Sequence, residues 1–128
     1  MNQKIILKVA AFFGATAVAF GALGAHALKS VLSAQSLASF TTAVRYQMWH
    51  ALALLFLVAF AEKINPSPWI SRLWTSGVVL FSGSIYLLSL DELMNLNFSF
   101  LGPLTPIGGL ALILGWILLL IRSGNKGS

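Results

Sequence analysis

The chain has 128 residues, 58% of them hydrophobic and only 9% charged, with a mean hydropathy of +0.88. About a quarter of the residues in a soluble domain are charged, so this composition leaves no polar surface for water and suits a bilayer. The net charge of +5 is spread thinly, which excludes a basic nucleic-acid-binding face, and the lack of cysteine excludes disulfides, thiolate metal sites and cysteine nucleophiles.

Residues 5–25 are the first of four segments long enough to cross a hydrocarbon core of roughly 30 Å. Ala10, Gly14, Ala17, Gly21 and Gly24 fall on one helical face, a small-residue stripe that lets a neighbouring backbone come close. Lys4, Lys8 and Ala25-His26-Ala27 also resemble a secretory signal, but the apolar region is longer than such signals carry and is broken by glycines, so it reads as a retained helix. Between residues 28 and 42, Leu32, Leu37, Phe40 and Val44 recur at helical spacing among Ser33, Gln35, Ser36, Ser39 and Thr41. That pattern predicts a short amphipathic helix lying in the interface.

The second span is predicted at 43–61, with Ala43, Gln47, His50 and Leu54 on one stripe. Ser67 as N-cap and Pro68 at the first helical position open the third span, 69–90, where Trp69, Trp74 and a snorkelling Arg72 read as an interfacial anchor. Ser76/Gly77 and Gly83/Ser84 give it a small-residue face. Thr105-Pro106 repeats the start signal for a fourth span, 105–121, followed by Gly108, Ala111 and Gly115. The expected fold is all-α, a single integral membrane domain over 1–128 built as a four-helix transmembrane bundle with an interfacial helix between the first two spans. Gly14, Gly21, Gly24, Gly83, Gly108 and Gly115 are its candidate helix-packing positions.

Four spans put both termini and the 62–72 turn on one side with Lys4, Lys8, Lys63, Arg72, Arg122 and Lys126, leaving Lys29 and Arg45 on the other. That bias predicts cytoplasmic termini. The unusual polar groups then gather on the outer side: His26 ends the first span, His50 sits about 7 Å inward of Arg45 at 1.5 Å per residue, and Asp91 and Glu92 follow the third span.

Ionisable residues at membrane depth are candidate functional groups, and His26, His50, Arg45, Gln47 and Asp91 form the candidate ligand or proton site. For the histidines, the structural reading is two neutral imidazoles bonded to backbone carbonyls, Gln47 or Tyr46. The functional readings are a proton or substrate contact and a haem or metal ligand pair; without further ligands in sequence no metal site is assigned. Asp91 and Glu92 read as partners of Arg45 or Lys29, or as a cap, and adjacent acids point to different helix faces, so they form no acid–base dyad. The stretch Gly102-Pro-Leu-Thr-Pro-Ile-Gly-Gly109 lacks the lysine and preceding strand of a phosphate loop. No catalytic constellation is found and no cofactor is implied.

Gly21-Ala-Leu-Gly-Ala-His-Ala-Leu28, Tyr46-Gln47 with His50-Ala-Leu-Ala-Leu54, Leu80-Phe-Ser-Gly-Ser-Ile-Tyr-Leu87, and Thr105-Pro-Ile-Gly-Gly109 with Gly115-Trp116 together resemble the YgdD-like family. Its members are small bacterial inner-membrane proteins, related to a eukaryotic transmembrane group and long filed under unknown function. The resemblance covers about residues 5–121. It implies a four-helix membrane protein, brings no established activity, substrate or cofactor, and matches the family's characteristic histidines to His26 and His50. The leading functional expectation is a non-enzymatic accessory protein in the inner membrane. Its partners are the lipid bilayer and the helix of a membrane protein or a second copy. A small-molecule, ion or proton handler using the outer cluster, and a haem- or metal-binding redox subunit, are the alternatives.

Overall fold

The computed structural model describes residues 1–124, and every regular element in them is helical. Helix α1 runs Gln3–Ala25, α2 Ala34–Ala59, the single turn α3 Ala61–Ile64, and α4 Pro68–Leu90. A 3-10 turn at Ser99–Leu101 then leads into α5, Leu104–Gly124. The helix starts follow ordinary capping chemistry. The Asn2 side-chain oxygen accepts the Ile5 N–H at 2.9 Å, Ser33 accepts Ser36 N–H at 3.1 Å, and Ser67 accepts Trp69 N–H at 3.3 Å. Asn65 ends α3 in the left-handed region at φ 45°, a conformation that asparagine tolerates.

The interfacial helix is not a separate element. Thr41 and Thr42 belong to the polar stretch that precedes the expected span, yet each returns its hydroxyl to the carbonyl one turn back, Leu37 at 2.9 Å and Ala38 at 3.1 Å. Their polarity is absorbed locally and the helix runs through without a break, so α2 starts nine residues before position 43. Gly24 stands against Phe40 and Gly21 against Val44, which places the first turns of α2 beyond the end of α1.

The long helices form a sequential antiparallel array, α1 on α2, α2 on α4, and α4 on α5. The core lies along the middle two, with Leu54, Ile70 and Trp74 fully buried beside Ala10, Ala51, Val78 and Leu112. Trp69 is an exposed anchor, with the Arg72 guanidinium 5.0 Å from its ring centre. Trp74, expected to share that role, is instead 0% exposed and donates its indole N–H to the Leu112 carbonyl at 3.2 Å. One helical turn carries it from the end of α4 into the α4–α5 seam, where Gly115 leaves room for the ring.

The glycines divide into three groups. A methyl on Gly108 would overlap the backbone of Leu80 and Phe81, and one on Gly77 would stand 2.6 Å from a Leu112 methyl, so α4 and α5 meet backbone to backbone. A methyl on Gly24 or Gly21 would meet α2 more loosely, 3.3 Å from the Phe40 ring and 3.5 Å from a Val44 methyl. A methyl on Gly14 or Gly83 would meet nothing within 4 Å, so neither takes up a tight helix contact within this chain.

Helices α1 and α4, and the segment Ser99–Ser123 that contains α5, are long and apolar enough to cross a membrane. Helix α2 is the longest at 26 residues, but Arg45, Gln47 and His50 dilute its apolar character.

Candidate functional site

The residues expected in one outer cluster lie at different depths. Pairing of Gly24 with Phe40 sets His26 level with Ala38, so His50 lies twelve residues deeper, roughly 18 Å along the axis at 1.5 Å per residue. His26 is exposed and caps α1 through its backbone N–H. The two imidazoles do not meet. Asp91 is half-buried at the end of α4, and Arg45 is exposed on the flank of α2; the two form no ion pair among the described residues. Only Gln47 and His50 stay together, and they sit mid-helix rather than at the outer edge.

Gln47 is 4% exposed and ties three helices together. Its amide nitrogen donates to the Phe13 carbonyl at 2.8 Å and to Thr16 Oγ1 at 2.6 Å, both on α1. Its oxygen accepts the Tyr86 hydroxyl of α4 at 2.6 Å. Thr16 passes its own proton to the Phe12 carbonyl at 2.8 Å. Rings of Phe20 and Phe40, 4.9 and 5.1 Å from that of Tyr86, cover the tyrosine. Ser82 adds a second clasp between α4 and α2 by donating to the Ala43 carbonyl at 2.8 Å.

His50, also 4% exposed, looks towards α4 and α5. Nδ1 lies 2.7 Å from the Tyr46 carbonyl and Nε2 accepts the indole N–H of Trp116 at 2.9 Å. A carbonyl can only accept and an indole N–H can only donate. The hydrogen must therefore be on Nδ1, which fixes the tautomer and keeps the ring neutral. Trp74 and Trp116, with ring centres 4.5 Å apart, enclose the imidazole at 5.9 Å each.

Chemically, this arrangement is closed. Both amide hydrogens and the oxygen of Gln47 are engaged, and both ring nitrogens of His50 are used. A metal ion at Nε2 would have to displace the Trp116 contact, and no group of three or more ligating side chains surrounds it among the described residues. Sequence reasoning assigns a site role to Gln47 and His50 but none to Thr16, Tyr86 or Trp116, which reach them from other helices; Tyr86 and Trp116 enter only as members of the resemblance motifs. In sequence, each reads as an ordinary residue of an apolar span.

A family model described as a protein of unknown function, DUF423, matches residues 20–109. The inner membrane protein YgdD of Escherichia coli K12, a UPF0382 protein, is 39% identical over 99% of this chain and 97% of its own length. The UPF0382 membrane protein YwdK of Bacillus subtilis is 36% identical over 94% and 97%. A UPF0382 membrane protein of Staphylococcus saprophyticus is 38% identical over 93% and 96%. No solved structure matches the chain.

Proposed function

The chain belongs to this family of membrane proteins, and we propose that it is a four-span inner-membrane protein, a single domain that acts without catalysis as an accessory packed against a partner helix. The observation that carries this reading is the internal engagement of Gln47 and His50: both amide hydrogens of Gln47 and both ring nitrogens of His50 are already bonded within the chain, so neither side chain has a donor left for a substrate. Polar side chains used this way hold membrane helices to one another. His50→Ala is therefore expected to lower thermal stability and function together, because removing the ring strands the Trp116 N–H at about 1–3 kcal/mol. Lost function with unchanged thermal unfolding would instead make His50 a ligand or proton site.

Helix α2 counts as the fourth span in this reading. Its 26 residues reach about 39 Å at 1.5 Å per residue. Its polar side chains Gln47 and His50 face other helices, as intramembrane polar residues do. Arg122 donates to the Asn65 carbonyl at 3.1 Å, and Met1 and Gln3 line one cavity with Asn65 and Pro66, which supports a shared side for the end of α5, the α3–α4 turn and the start of α1. The cation bias makes that side cytoplasmic, with Lys126, which was counted towards it, lying outside the described residues. The natural absence of cysteine makes the test clean. In intact spheroplasts an impermeant maleimide is expected to label Ser30→Cys and to leave Glu62→Cys untouched until lysis. Labelling of Glu62→Cys before lysis would overturn the topology.

The accessory role has its own test. Gly14 faces open space, so Gly14→Leu should leave thermal unfolding of the isolated chain unchanged while altering its assembly in native membranes. Identical assembly of the two proteins would remove this face from any packing role.

A further inference from the structure

At the end of the bundle that carries His26 and Asp91, the first turns of α2 stand apart from the last turns of α4 and leave an open cleft of about 410 Å³. Its polar lining is Gln35, Ser36, Ser39 and Thr42 from α2, Ser89 from α4 and Thr105 from α5. Ile85 and Leu88 supply an aliphatic wall. None of these residues is ionisable.

Serine and threonine in membrane helices usually return their hydroxyls to a carbonyl in the preceding turn. Thr16, Thr41, Thr42, Ser71, Ser76, Ser84 and Ser123 do so here, Ser82 donates to a neighbouring helix, and Thr105 pairs with Ser84. Among the described residues, the helical hydroxyls without such a bond are Ser36, Ser39, Thr75 and Ser89, and all but Thr75 line this one cleft. Ser89 is the telling member. It is 5% exposed, and its hydroxyl is buried without a partner. A buried hydroxyl without a partner in a native protein calls for an explanation such as a ligand.

We propose that this cleft binds an uncharged polyhydroxyl group. Ions of either sign find no counter-charge in the lining. Hydroxyls and a primary amide each donate and accept, which suits ligand hydroxyls that do the same, while Ile85 and Leu88 suit the C–H face of a polyol. Such a group reaches the end of a membrane bundle from two sources, the glycerol headgroup of a lipid or a free polyol.

Native mass spectrometry of the full chain, loaded with either phosphatidylglycerol or phosphatidylserine, tests this. The two lipids carry the same net charge and differ in the terminal diol. Phosphatidylglycerol is expected to be retained at collision energies that strip phosphatidylserine. Ser39→Ala/Ser89→Ala should reduce its retention at least tenfold, and so should Gln35→Ala, whose exposed position in the first turn of α2 spares the fold. Thr75→Val, which removes the unpaired hydroxyl outside the cleft, should not. Displacement by excess glycerol would identify a free polyol as the ligand, and resistance to it would identify the lipid headgroup. Equal retention of the two lipids, or retention indifferent to both cleft variants, overturns the proposal.

Discussion

Gly108→Ala is expected to be among the most damaging single changes in the chain, lowering stability by about 3 kcal/mol, the upper part of the range for overpacking. The new methyl would stand 2.8 Å from both the Leu80 carbonyl carbon and Phe81 Cα. Those are backbone atoms, so no rotamer change can relieve the overlap, and α4 and α5 must separate. Separation would loosen the neighbouring contacts on the same seam, the Leu112 methyls over Gly77 and the Trp74 indole over Gly115. Gly14→Ala and Gly83→Ala are the controls, since their added methyls meet nothing within 4 Å; both should stay within ~0.5 kcal/mol of the parent. Thermal unfolding of the three variants in one detergent decides the matter. A Gly108→Ala protein that melts with the parent would mean that the two helices can reseat freely.

The same glycines show how far spacing in the sequence reaches. Helical periodicity identified the small faces of α1, α4 and α5, and on α5 it selected Gly108 and Gly115, which do sit against α4. On α1 it grouped Gly14 with Ala10 and Ala17, both 1% exposed, although Gly14 itself touches no neighbour. Periodicity gives the direction in which a residue points. The distance to the next helix at that height depends on side chains of another element, and no count along one helix contains it.

A similar limit shifted the candidate site. Helical spacing puts Ala43, Gln47, His50 and Leu54 on one stripe, and all four are buried on α2. Their depth was misjudged because hydroxyl-rich residues 34–42 resemble an interface segment until Thr41 and Thr42 are seen to bond to their own turn. With the helix starting at Ala34, His50 lies mid-helix rather than near the edge, and His26 and Asp91 stay behind at the end. The partners were out of sight for a simpler reason. Thr16, Tyr86 and Trp116 lie 31, 39 and 66 residues from the side chains they bond, separations fixed only when the helices pair.

Gln47→Leu should rival Gly108→Ala in effect. Three intramolecular hydrogen bonds disappear, each worth roughly 0.6–1.7 kcal/mol between membrane helices. The Phe13 carbonyl and Thr16 hydroxyl retain helical partners, but the half-buried Tyr86 hydroxyl loses the one it has. An orphaned hydroxyl adds about 1–3 kcal/mol, so the total loss is at least about 3 kcal/mol. The distinguishing feature is the rescue. Tyr86→Phe removes the orphan, so Gln47→Leu/Tyr86→Phe should unfold at a higher temperature than Gln47→Leu alone, despite carrying one more substitution. A double variant as weak as the two single losses added together would mean that Tyr86 is satisfied independently of Gln47. If the double variant regains the fold and still cannot support the protein's role in cells, the Gln47 network contributes more than helix attachment, and the accessory reading would have to include it.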